Sequence, residues 1–214
     1  MNRTIIYYTC NTHDISIDEM CRAQLLRGGL PIVCVSLNKS LPFGDTSITV
    51  QGERSPLMMH KQILLGLQAA EAGIVYLCES DVLYHPSHFD ESVNVFGYNA
   101  NVWRLRWSNG LAVWTDGLQQ VSGIRADRDI LLTYYEKRVE DIEREGFNRH
   151  YEPRGLGFVN WMSAWPNICI RHNANLTKSK WSPDEFRNPK YAQGWRTSHT
   201  IPGWVQDGNT WQTK

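Results

Sequence analysis

No apolar run of about 18 residues occurs anywhere in this 214-residue chain, which excludes a membrane-spanning helix. No Cys-x-x-Cys occurs either. The five cysteines (Cys10, Cys21, Cys34, Cys78 and Cys169) are odd in number and widely spaced, which argues for reduced thiols rather than a disulfide framework. Low-complexity tracts, internal repeats and linkers are absent, so residues 1–214 are expected to form one domain of ordinary size. The segment Met1 to Tyr8 enters a strand pattern at once and shows no secretory cleavage site. A cytoplasmic protein is the resulting expectation, one in which the sequons at Asn2, Asn38 and Asn175 stay unmodified.

Net charge is also lacking, with 22 Lys and Arg against 22 Asp and Glu, but the balance hides an asymmetry. Residues 147–214 carry nine Lys/Arg against four acids, an excess of +5, and residues 1–146 carry −5. The same basic segment holds six of the nine tryptophans: Trp161, Trp165, Trp181, Trp195, Trp204 and Trp211. Basic and aromatic residues together suit a sugar, a nucleotide or a polyanion. A tryptophan-rich core beneath a solvated basic face accounts for the same composition.

Along the chain, Thr4 to Thr9 reads as a first strand. Ser16 and Glu19 have the spacing of a capping box, opening a helix that stops at Gly28 and Gly29. Pro31 to Leu37 is apolar almost throughout, as strands of a parallel sheet are. Ser55 and Pro56 supply an N-cap and an N1 proline to a helix ending near Gly73. Ile74 to Leu77 is then a buried strand. Further strands are expected over Val93 to Tyr98, Val102 to Trp107, Leu111 to Trp114 and Asn167 to His172. A long helix is expected from Asp129 to Glu145, striped by Ile130, Leu131, Tyr134, Val139 and Ile142, and a short one from Gly155 to Trp165. From Asn173 the polar, Gly- and Pro-containing chain predicts a loop-dominated tail. The order β-α-β-α-β predicts an α/β fold, an open and mostly parallel central sheet with helices on both faces.

The most informative segment is Gly73 to Leu83, Gly-Ile-Val-Tyr-Leu-Cys-Glu-Ser-Asp-Val-Leu. Strand alternation points Glu79 and Asp81 to the same side where the strand leaves the core. Two carboxylates at the carboxyl end of a parallel strand make a site for a divalent cation and the phosphate it carries. An acidic turn closing a strand is the bland alternative.

Together these residues resemble a GT-A fold glycosyltransferase of the soluble bacterial or phage type, over roughly Thr4 to Trp181. That family's marker is an Asp-x-Asp at a strand end; here Leu77 to Pro86 matches, with Glu79 in place of the first Asp. The resemblance implies a nucleotide-sugar-binding half over 1–90 and an acceptor half over 91–214. It implies a metal site of Glu79, Asp81 and the late His172 in Ile170-Arg171-His172, and the nitrogen ligand tilts the cation from Mg²⁺ toward Mn²⁺. It further implies that Thr9 and Asn11 border the base and that Arg54 or Lys61 faces the donor's diphosphate. An inverting transfer needs an acceptor-side base, for which Glu152 is the first candidate and Asp116 the second. The acceptor is expected to be a hydroxymethylated pyrimidine in DNA or a carbohydrate. A non-catalytic nucleotide-sugar or nucleic-acid binding protein uses the same features. A nucleotidyltransferase would bring a Gly-rich basic segment early, and none occurs between Tyr8 and Gly28.

Overall fold

The computed structural model describes residues 2–12, 14–93, 95–115, 118–177, 181, 201–214 and the backbone of 193–197. A seven-stranded sheet forms the body. Its middle is β1 (Arg3–Thr9), flanked by β2 (Ile32–Leu37) and β4 (Ile74–Glu79), all parallel. Outside β2 lies β3 (Thr46–Val50), a parallel edge strand of mostly polar residues that the hydrophobic pattern gave no reason to expect. Beyond β4 come β9 (Ile124–Asp127), β6 (Gly97–Asn99) and β10 (Val159–Trp161). The order is β10-β6-β9-β4-β1-β2-β3, and β9 alone runs against the others. The chain steps outward from β1 to β3 and returns to pair β4 with β1. A crevice is therefore expected at the carboxyl ends of β1 and β4.

Among the described residues, three helices cover both faces, as the alternation of elements predicted. On one face lie α2 (Pro56–Ala69) and α3 (Arg128–Glu145). Their Met59, Ile63, Leu67, Leu131 and Tyr135 pack on Ile6, Tyr8, Val33 and Val35. Gly66 lets α2 approach β1: a Cβ there would lie 2.3 Å from Ile6 Cγ2. On α3 the deeply buried ring is Tyr135, not Tyr134, and Ile130 is 43% exposed. The opposite face carries α1 (Ile15–Leu26), whose cap is Asp14 rather than the expected Ser16–Glu19 box: the Ser16 N–H donates to Asp14 Oδ1 at 2.9 Å. Asp14 caps the helix two positions earlier, satisfying the orphan amide of Ser16.

A second sheet has the order β12-β8-β7-β11-β5. Its members are β5 (Val82–Leu83), β7 (Val102–Arg106), β8 (Leu111–Trp114), β11 (Asn167–Arg171) and β12 (Gln193–Thr197). The hairpin of β13 (Trp204–Asp207) and β14 (Thr210–Thr213) closes it. Two expectations are corrected here. No helix forms over 155–165, because Gly155 and Gly157 take φ of +75° and +68°, and Val159–Trp161 pairs as a strand with β6. Among its described residues the tail is not all loop either: β12, β13 and β14 belong to it. Its Ile201, Trp204 and Trp211 are buried with Ile17 and Cys21 of α1 and with Leu83, Ile168 and Ile170.

Candidate functional site

A cavity of about 330 Å³ opens at the carboxyl ends of β1 and β4, roofed by the second sheet. Tyr8, Cys10 and Glu79 line it from the main sheet. Arg54, Ser55, Met58 and Gln62 line it from the start of α2, and Arg104, Cys169 and Arg171 from β7 and β11. Ser80, Asp81, Tyr151, Glu152 and Asn175 complete the lining that matters here.

The turn after β4 is what brings distant residues together. Past Ser80 and Asp81 the chain enters β5, which pairs antiparallel with β11 through Val82 and Cys169. The Ile170 N–H donates to the Asp81 carbonyl at 2.8 Å, fixing the register. Asp81 is thereby held beside the residues that follow β11. Its Oδ2 lies 3.4 Å from His172 Nε2 and accepts from Asn175 Nδ2 at 2.7 Å. The expected proximity of Asp81 and His172, 91 positions apart in the sequence, is present.

Glu79 sits at the strand end against Tyr8, whose hydroxyl donates to Glu79 Oε1 at 2.9 Å. Its backbone N–H donates to the Tyr84 hydroxyl at 2.8 Å, and that hydroxyl donates onward to the Ser122 carbonyl. Burial, and after it the negative charge of Asp81, push the Glu79 carboxyl up to about 7. Glu152 also lines the cavity, with its carboxyl raised by burial.

A carboxylate oxygen and an imidazole nitrogen 3.4 Å apart are spaced as neighbouring ligands of one divalent cation are. Among the described residues, no group of three His, Cys, Asp or Glu is assembled to hold a metal by itself. The donor set thus fits a cation held by Asp81 and His172, with its other positions filled by ligand oxygens or water and Glu79 close by.

The remaining expected residues divide sharply. Arg54 lines the cavity, and its guanidinium donates to the Ala174 carbonyl. Lys61 does not: it points away along α2 and pairs with Glu143 of α3 at 2.6 Å. Thr9 and Asn11 are not in the lining either. Thr9 Oγ1 accepts from the Asn11 N–H, and the Asn11 amide donates to the Leu37 and Lys39 carbonyls, so both brace the loop that presents Cys10. Asp116 lies outside the described residues, although Leu118 to Ser122 border the cavity. Lys178, Lys180, Arg187 and Lys190 of the basic tail also lie outside them.

Of the lining residues not singled out from sequence, three bear directly on the charge of the cavity. Arg104 alternates with Trp103 and Leu105, and Arg171 with Ile170, so the apolar side chains face one core while the arginines face the cavity. Burial lowers Arg104 from its ordinary value, and Arg171 is only 9% exposed. That alternation is the signal that would have found them. Asn175 is the third, placed by its own amide bond to Asp81. The tryptophans favour the core reading: Trp161, Trp204 and Trp211 are buried, and Trp165 is half-exposed.

No known family profile matches the chain, and no curated protein sequence matches it. Solved structures do resemble it distantly. The inositol-1-phosphate CTP transferase from T. maritima is 11% identical, over 79% of this chain and 85% of that one, with a TM-score of 0.40. HddC from Yersinia pseudotuberculosis is 15% identical, over 63% of this chain and 80% of that one, with a TM-score of 0.38.

Proposed function

We propose that the chain is a metal-dependent transferase acting on a nucleoside-diphosphate sugar, passing the sugar to an acceptor hydroxyl. The observation that carries this reading is Asp81 in the lining of the crevice beyond β1 and β4, with His172 beside it at 3.4 Å, just outside that lining. In this reading Asp81 and His172 hold Mn²⁺ or Mg²⁺, which when bound offsets negative charge on the diphosphate leaving group. Arg54, Arg104 and Arg171 add fixed positive charge along the same cavity.

In this reading Glu152, a carboxyl in the cavity lining, accepts the acceptor's hydroxyl proton. The acceptor oxygen then forms its bond to the anomeric carbon as the bond to the diphosphate oxygen breaks, and the electron pair leaves with the nucleoside diphosphate. Burial raises the Glu152 carboxyl, which makes it a stronger base than a solvated glutamate once ionised. The acceptor stays as the sequence left it, a hydroxymethylated pyrimidine in DNA or a carbohydrate. The burial of Trp161, Trp204 and Trp211 removes three of the stacking surfaces invoked for a sugar and a nucleic acid alike.

The test is a donor panel with Mn²⁺, scored by release of nucleoside diphosphate, with Asp81→Asn as control. Release that depends on the cation and is lost in the variant is the expected result. Pyrophosphate released from a nucleoside triphosphate and a sugar phosphate, with nothing released from nucleotide sugars, would replace sugar transfer by nucleotidyl transfer. Donor binding without turnover on any acceptor would favour the non-catalytic alternative.

A further inference from the structure

Residues 173–177, which follow β11 and His172, border the cavity through Asn175 to Thr177 and engage its charged groups with their own polar atoms. The Ala174 carbonyl accepts from the Arg54 guanidinium. Arg171 Nη2 donates to the Thr177 carbonyl at 2.6 Å and to its hydroxyl at 3.1 Å. Between these, the Asn175 amide donates to Asp81 Oδ2 at 2.7 Å. One short segment therefore sets a partial negative charge on each of two guanidiniums and a partial positive charge on the carboxylate between them.

That sequence of charges is the pattern of a divalent cation chelated by a diphosphate: phosphoryl oxygens for the arginines and a cation for the aspartate. The same segment engages His172: the Ala174 N–H donates to His172 Nδ1 at 3.1 Å, and the Asn175 amide nitrogen lies 3.4 Å from His172 Nε2.

We propose that residues 173–177 are a strap that engages the cavity's charged groups as a stand-in for a cation–diphosphate ligand and is displaced when that ligand binds. The inference rests on the transferase reading for the identity of the ligand, but the contacts that define the strap are independent of it. A strap of this kind keeps Asp81 and the arginines satisfied in the unliganded protein. It also makes cation and diphosphate bind together, because either alone must break contacts that both together replace.

Two measurements on the full chain test the proposal: titration calorimetry with Mn²⁺ plus inorganic pyrophosphate or a nucleoside diphosphate, and amide hydrogen exchange across residues 172–177. Asn175→Ala is expected to bind the Mn²⁺–pyrophosphate pair roughly tenfold more tightly than wild type, the scale of one charge-assisted hydrogen bond no longer broken on binding. In wild type, exchange across the segment is expected to rise when the pair binds. Weaker binding by Asn175→Ala together with slower exchange on binding would overturn the proposal, since the segment would then be a support that orders around ligand. If pyrophosphate binds and loosens the segment but no nucleotide does, the strap stands and the nucleotide-sugar reading falls. If neither wild type nor Asn175→Ala binds any of these probes, the strap proposal falls as well.

Discussion

Replacing Glu79 by Gln converts the most perturbed carboxyl of the cavity into a group that cannot titrate, at little cost in shape. The Gln carbonyl still accepts from the Tyr8 hydroxyl, and the backbone N–H of residue 79 still reaches Tyr84. The wild-type carboxyl is raised from 4.5 to about 7, first by burial and then by the charge of Asp81. A raised acid holds its proton in the folded state over a window, from 4.5 to about 7, in which the unfolded chain has released it. Its contribution to stability is therefore lost as pH rises through that window. At about 1.4 kcal/mol per unit, the displacement amounts to at most about 3 kcal/mol at pH 8, less whatever the hydrated cavity screens. Urea unfolding at pH 5 and pH 8, with chelator present, isolates the effect as the difference between the two proteins. Glu79→Gln should gain on wild type as pH rises, by roughly 2–3 kcal/mol. A cation bound at Asp81 removes the second cause of the shift and should move the window toward acid. Unfolding profiles that stay parallel from pH 5 to pH 8 would refute the placement of Glu79 in a buried, acid-flanked site.

Glu152→Gln should lower turnover at least about tenfold with donor affinity little changed, the pattern of an interaction made in the transition state; unchanged turnover removes Glu152 and promotes Asp116. Gly66→Ala should destabilise the fold by about 1–3 kcal/mol, seen as a lower Tm, because its Cβ would meet Ile6 Cγ2 at 2.3 Å; an unchanged Tm would mean that α2 can lift from β1 without penalty. If the acceptor is DNA, duplex binding should fall steeply between two salt concentrations as counterions are released, whereas a neutral sugar should show little such dependence.

The fold was legible where local pattern and tertiary need agree. Apolar β1, β2 and β4 read as parallel strands, and Ser55-Pro56 marked the start of α2, because in each case the signal lies within a few residues. Where the deciding partner is remote, the pattern misled. Residues 155–165 contain apolar side chains at plausible helical spacing, but two glycines at positive φ commit the backbone elsewhere and β6 supplies a pairing edge. The tail looked like polar loop because its buried residues, Ile201, Trp204 and Trp211, are few and widely separated. Only the waiting surface of α1 and the second sheet makes a core of them.

The site divides along the same line. Glu79 and Asp81 announced themselves as adjacent acids at a strand end, and His172 by its place after a late strand. Lys61 was expected from the family resemblance of its helix, and helix rotation decides against it: Gln62, one residue on, lines the cavity while Lys61 reaches Glu143. Arg104 and Arg171 needed knowledge of which face of the second sheet turns inward. That is set by the pairing of Val82 with Cys169 and by the bond from Ile170 to Asp81. A slip of one residue in that register would send Arg171 into the apolar cluster and carry Asp81 away from His172. The acidic turn and the basic wall are therefore specified together: the two-residue strand that follows the carboxylates fixes which side chains of β11 face them.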